Sequence, residues 1–270
     1  MKVPLRAYGR YTFLGVGAVT MVAFWGLAVY ILTTPDIYED DIQGDVCASG
    51  NVAIIKMYGL LDFIEDPENL TISVDPIVEQ IDNLGKEENI EAIVLDTYSG
   101  GGLASAGEAV ANALKRSPKK TVALVKEEAS SAAYLAITGA DRIYANRMAS
   151  VGSLGVTMSY MDETEKNLQE GVRFIELASA PYKDSFNMDK PITADDREML
   201  TKMIKSMHAT FVAMVAENRQ MNLETAAELA DGSTYRGEEA TRDGLIDAVG
   251  DLHTIVEDLV KDGIDVQVCP

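Results

Sequence analysis

The sequence predicts an α/β domain built on a mainly parallel sheet and preceded by one transmembrane helix. Three observations predict it. Residues 12–33 form an uncharged, largely apolar run long enough to cross a bilayer as a helix. From residue 52 onward, short β-branched runs alternate with amphipathic stretches, the pattern of crossover units. Between one such run and the stretch after it stand three consecutive glycines, Gly100, Gly101 and Gly102.

The flanks of the apolar run set its orientation. Lys2, Arg6 and Arg10 precede it, while Asp36, Glu39, Asp40 and Asp41 follow. That bias keeps the amino end in the cytoplasm and places the bulk of the chain outside, as a single-pass protein of the cell membrane. A cleaved signal peptide shares the basic start, but this run exceeds a typical signal core and no clear small-x-small site follows it. The expected organisation is therefore a cytoplasmic start and anchor over 1–34, a linker with Pro35 and Gly44 over 35–50, one main domain over 51–260 and a carboxy-terminal tail over 261–270.

Within the domain, VAIIKMYG at 52–59 reads as an internal strand, followed by an acidic loop containing Pro67. SVDPIVEQIDNL at 73–84 reads as a helix and AIVLD at 92–96 as a buried strand. After the glycines, LASAGEAVANAL at 103–114 is helical, TVALV at 121–125 a strand, SSAAYLAITG at 130–139 a short helix of small residues and RIYA at 142–145 a strand. DREMLTKMIKSMHATFVAMVAENR at 196–219 is a long amphipathic helix whose methionines suit irregular packing.

Composition excludes several functions. A formal net charge of −20 opposes binding to nucleic-acid phosphates. Two cysteines and two histidines, with no short spacing among them, supply no zinc ligand set. His208 and His253 read as structural or surface residues, and the acidic segments 36–41 and 65–68 lack a calcium-loop pattern. No metal or cofactor is expected. Cys47 and Cys269 would form one staple if the fold brings them together in an oxidising compartment.

Three segments bear chemistry. The glycines match neither a phosphate-binding loop with lysine and hydroxyl nor a dinucleotide fingerprint, leaving a tight structural turn or an oxyanion and peptide-binding loop. Ser130 and Ser131 sit where a strand gives way to a helix, so either a helix cap or a nucleophile fits them. Lys183, in SAPYKDSF, is a surface charge or, if its amine is neutral, a base for a serine.

The order of TYSGGGLASAGEAVANAL, EASSAAYLAITGADRIYANRMASVGSLGV, YKD and ADGSTYRGEEATRDGLIDAVGD resembles the signal peptide peptidase A family, serine proteases of the ClpP and crotonase-like superfamily, across most of 52–251. The resemblance implies a repeated ββα core. It places Ser131 as nucleophile, Lys183 as general base, Gly101 in the oxyanion loop with the Ala132 amide as second donor, and Ser153 as a group orienting Lys183. The chain departs from the family where Ala132 and Ala133 replace two glycines after the nucleophile, and where Tyr98 and Ser99 replace a serine or threonine followed by proline. The implied protein is a membrane-anchored endopeptidase with a Ser-Lys dyad, acting on membrane-associated peptides such as signal-peptide remnants. It would contact lipid through its first helix and work as a ring-like homo-oligomer. The rivals are a noncatalytic peptide-binding scaffold, in which Ser131 only caps a helix and Lys183 is exposed, and a crotonase-like acyl-thioester enzyme.

Overall fold

A computed structural model describes residues 50–159 and 161–268. Its centre is a parallel sheet in the order β1 (Val52–Tyr58), β4 (Ala92–Ser99), β5 (Lys120–Ser130), β6 (Arg142–Ala145) and β9 (Ala248–Val249). Two short strands extend it: β7 (Ser150–Gly152) pairs in parallel with the end of β5, and β8 (Thr234–Arg236) pairs antiparallel with β7. A separate pair, β2 (Leu60–Asp62) and β3 (Thr71–Ser73), lies between β1 and the first helix.

The unbroken apolar run of β4 follows from burial on both faces. On one face Ile55, Met57, Ile93, Leu95, Ala123 and Val125 join the main core. Residues of helices α1 (Asp75–Leu84), α2 (Ala104–Arg116), α3 (Ala132–Ile137) and the end of α5 (Ala194–Asn218) complete that core. On the other face Val52, Ala92, Val94, Val122, Leu124 and Tyr144 meet Ile255 and Leu259 of helix α8 (Leu252–Lys261). That second cluster involves the first halves of β1, β4 and β5, so the carboxyl ends of these strands carry Tyr58, Asp96, Lys126 and Glu128 instead.

Small residues in α3 serve close approach to α2. A Cβ at Gly107 of α2 would fall 2.2 Å from the Ala132 carbonyl oxygen, so only glycine fits there. The remaining helices are α4 (Thr164–Gln169), α6 (Leu223–Glu228) and α7 (Gly237–Arg242). Past α8 the chain returns to β1: Asn51 N–H donates to Gln267 O at 3.0 Å, and Val52 bridges Val268 in parallel. Ile264 and Val266 pack on the second cluster.

Four expectations shift. The strand expected at 121–125 runs on through Ser130, because β7 supplies a partner for 128–130 after the register with β4 slips between Thr97 and Ser99. The small-residue helix consequently begins at Ala132. Residues 71–73 pair with β2, which delays the helix expected at 73 to Asp75. The long helix starts at Ala194, where Thr193 and Asp196 form a capping box, and much of it is solvent-facing: its buried apolar residues are Leu200 and, further on, Phe211, Val212, Val215 and Ala216. The apolar run at 12–33, Cys47 and Cys269 lie outside the described residues; among the described residues no helix is long and apolar enough to cross a membrane.

Candidate active site

Ser131 joins β5 to α3 with φ 54° and ψ −122°. A non-glycine residue held there costs on the order of 1–3 kcal/mol and persists only where its surroundings fix it. They do so through the backbone: Ser131 N–H donates to Gly152 O at 2.7 Å, and Ser131 O accepts from Leu135 N–H at 3.0 Å. The side chain makes no capping bond, and among the described residues its hydroxyl has no hydrogen-bond partner. The capping role open to Ser131 in the sequence is therefore not the one it plays. Ser130 differs: it is buried, and its hydroxyl donates to Glu128 Oε1 at 2.8 Å.

The glycine loop closes over this junction. Gly101 has φ +120°, and a Cβ on it would lie 3.0 Å from Ser131 Cβ and 3.1 Å from Ser130 O. Any side chain would crowd the hydroxyl from that side. The loop is tied from below by Ser99, which is buried: its Oγ accepts the Gly101 N–H at 3.2 Å and contacts Gly101 O at 3.3 Å. Gly101 O also receives Leu61 N–H at 2.7 Å, and Leu61 O receives Leu103 N–H at 2.8 Å. The Ala132 nitrogen lies 3.5 Å from the same Gly101 Cβ position, and its N–H has no backbone acceptor among the described residues. Thus Ser131, Ala132 and Gly101 come together, with one free amide beside a free hydroxyl.

Ser153 is next to this group in the chain. It follows Gly152, the acceptor for Ser131, has φ 50°, and donates its N–H to Ser233 O at 2.7 Å. Lys183 shows no bond to this group: it is exposed, in a run of turns over 181–186, and among the described residues no hydrogen bond or ion pair links its amine to Ser131 or Ser153. The segment around it is exposed and apolar, with Val172, Ile175, Leu177, Tyr182 and Phe186 all facing outward. One buried anchor is Ser185, whose hydroxyl donates to Asp196 Oδ1 at 2.5 Å; Lys190 adds ion pairs to Glu176 and Asp184. The Ser185 bond, with a second from the Thr193 hydroxyl at 2.6 Å, holds the Asp196 carboxyl below the usual carboxylate range.

Two features lie outside the roles assigned from the sequence. One is the hydroxyl of Ser99, a residue noted there only as a departure from the family, which two residues before a glycine makes a recognisable side-chain turn. The other is a triad at the strand ends: Lys126 Nζ meets Asp96 Oδ2 at 2.5 Å, and Tyr58 OH donates to the same oxygen at 2.6 Å while accepting from Lys126 at 2.9 Å. The bond to Asp96, then that to Tyr58, pushes the Lys126 pKa up; burial and Asp96 push the Tyr58 hydroxyl up. Alternation along β4 and β5 puts these residues on one face, a signal present in the sequence.

Residues 113–266, which include Ser131, Ala132, Ser153 and Lys183, match the family model described as Peptidase family S49. The chain belongs to that family. A putative protease of Methanocaldococcus jannaschii is 33% identical over 175 residues, 64% of this chain and 56% of the relative. A putative signal peptide peptidase SppA of Enterococcus faecium is 26% identical over 187 residues, 68% of this chain and 54% of the relative. The resemblance to the signal peptide peptidase A family is borne out by these matches. The chain spans about half the length of these curated relatives, 56% and 54%. Among solved structures, a membrane-bound stomatin-specific protease, 1510-N, superposes with a TM-score of 0.51 at 16% identity, covering 78% of this chain and 84% of that one. That likeness supports the α/β fold of this S49 member.

Proposed function

We propose that this S49 chain is a membrane-anchored serine endopeptidase in which Ser131 is the nucleophile and Lys183 the general base. The observation that carries the reading is the strained Ser131 backbone, fixed by main-chain bonds while its hydroxyl is left unengaged. A residue pinned in a costly conformation with a free nucleophilic atom is what acyl transfer requires and what a helix cap does not.

In the proposed reaction the neutral amine of Lys183 takes the Ser131 proton as Oγ attacks the peptide carbonyl. The developing oxyanion faces the Ala132 amide and the glycine loop. Collapse breaks the C–N bond, the leaving amine takes the proton back from Lys183, and an ester remains on Ser131. Lys183 then deprotonates a water that attacks the ester, releasing the acid and the serine. Lys183 stands on an exposed apolar segment, and a ring-like homo-oligomer burying Val172, Ile175 and Leu177 would cover that segment and fix the base against a serine. The apolar run at 12–33 would hold the domain at the outer side of the cell membrane, near membrane-associated peptides such as signal-peptide remnants.

A peptide-binding scaffold is favoured by one observation, the lack of any hydrogen bond between Lys183 and Ser131 among the described residues. The deciding assay is hydrolysis of quenched apolar peptides by the full-length chain in detergent, beside Ser131→Ala, Ser130→Ala and Lys183→Ala. Loss with the first and third but not the second is expected; equal turnover in all four proteins rejects the assignment. Labelling of Ser131 by a fluorophosphonate separates peptidase from scaffold independently of substrate choice.

A further inference from the structure

The carboxylate of Glu128 sits beside the glycine loop and has no role in the chemistry above. A Cβ at Gly100 would lie 3.8 and 3.9 Å from its two oxygens and 3.9 Å from Leu60 Cδ2. Glu128 and Leu60 therefore flank the first glycine of the loop whose second glycine abuts Ser131. Leu60 is exposed, and Glu128 is partly buried.

Glu128 lacks a cation of its own. Oε1 accepts from Ser130, while Oε2 has no donor and neither oxygen an ion-pair partner among the described residues. Lys126, two residues earlier on the same side of β5, is committed to Asp96 and Tyr58. Arg236, on β8 opposite Ser150 of β7, which in turn pairs with Glu128, donates to Met148 O and so is also engaged. What remains is an uncompensated carboxylate next to an exposed aliphatic side chain, at the edge of the nucleophile's loop.

A long cationic side chain matches both halves of this arrangement. Its methylene stem can lie on Leu60 while its head group donates to Glu128 Oε2 in a charge-assisted bond. We infer that Glu128 is a specificity-determining residue that draws a lysine or arginine side chain of the peptide substrate to the outer edge of the glycine loop, beside Leu60. The inference rests on the serine-peptidase reading. A purely structural Glu128, present only to receive the Ser130 hydroxyl, would be replaced without loss by glutamine, which keeps the acceptor and the volume but not the charge.

The test uses the full-length chain in detergent and internally quenched apolar peptides identical except for one residue, Lys, Arg, norleucine or Glu, scanned through the positions flanking the scissile bond. The reading is the ratio of kcat/KM for the Lys or Arg peptide to that for the norleucine peptide. At one position the parent ratio should exceed one, fall about tenfold in Glu128→Gln, and invert toward the Glu peptide in Glu128→Lys. A ratio unchanged by Glu128→Gln overturns the inference. If no peptide is turned over, the peptidase reading fails separately, and the same ratio is read from fluorescence anisotropy of the peptides bound to Ser131→Ala with and without Glu128→Gln. A Glu128-dependent binding ratio then sustains the cationic subsite, and equal binding removes it.

Discussion

The junction around Ser131 and the segment around Lys183 are built on opposite plans. Ser131 is clamped: Gly152 holds its N–H, Leu135 its carbonyl, and Gly101, fastened by Ser99 and Leu61, stands against its Cβ. Lys183 itself is exposed and unbonded through its amine among the described residues, its neighbours held by the Ser185–Asp196 bond and the Asp184–Lys190 pair, in a stretch where Leu177 is 95% exposed. One half of the proposed dyad is thus positioned by the chain's own core, and the other is presented outward on apolar surface that monomers rarely leave open. In the proposed oligomer the difference would separate what a single chain preorganises from what a partner copy finishes. It also says where substitutions should strike stability and where they should strike assembly.

The sharpest break in the comparison is Ser131→Ala, expected to lower kcat/KM more than about 10³-fold with little change in the denaturation midpoint. Relief of the positive φ is not gained, since alanine at φ 54° is strained as serine is. Lys183→Ala should match it in activity and should leave stability within about 0.5 kcal/mol, as an exposed substitution does. Equal activity losses from one clamped and one unclamped residue would tie the two regions into one reaction.

Gly101→Ala is the next largest. It forces an L-residue to φ +120° and sets a methyl 3.0 Å from Ser131 Cβ, so activity should fall about 10²-fold and urea unfolding should show a loss of about 1–3 kcal/mol. Leu177→Asp should do the reverse: unfolding of the isolated chain unchanged, sedimentation shifted toward monomer, and turnover reduced with it. If Leu177→Asp leaves both oligomer and turnover as they were, the exposed segment is not the route by which Lys183 reaches a serine.

The two regions also differ in how far the sequence disclosed them. β1, β4 and β6 were legible from the apolar runs at 52–55, 92–95 and 143–145, which are largely buried, whereas the polar end of β5, KEEAS, hid a strand whose pairing depends on β7. Ser131 and Gly101 stand out because a strand-to-helix junction and a glycine run are local signals. The position of Lys183 relative to them is a long-range property, and no periodicity near 183 encodes it. The resemblance already separated Ser131 from Ser130; the Glu128 bond that occupies the Ser130 hydroxyl, between alternate residues of a strand, was not legible. Ser99 shows the converse, a residue noted as a departure whose local hydroxyl-to-amide turn was also legible.

The smallest effect concerns the Ser185–Asp196 tether. Asp196 has its pKa lowered by the Ser185 and Thr193 hydroxyls, so it binds a proton less readily folded than unfolded. The stability this contributes is present above the ordinary aspartate value of about 4 and is lost as pH falls through the lowered folded value. Asp196→Asn keeps an acceptor for one hydroxyl but abolishes the titration, and it weakens the helix start at Thr193. Unfolding midpoints measured from neutral pH down through the carboxylate range should therefore fall less steeply for Asp196→Asn than for the parent. Because Ser185 is a buried anchor of the Lys183 segment, turnover at neutral pH should also fall severalfold more in this variant than in Thr193→Ala, which cuts the cap but leaves the Ser185 bond. Equal turnover in the two variants would mean that the tether does not set where Lys183 stands.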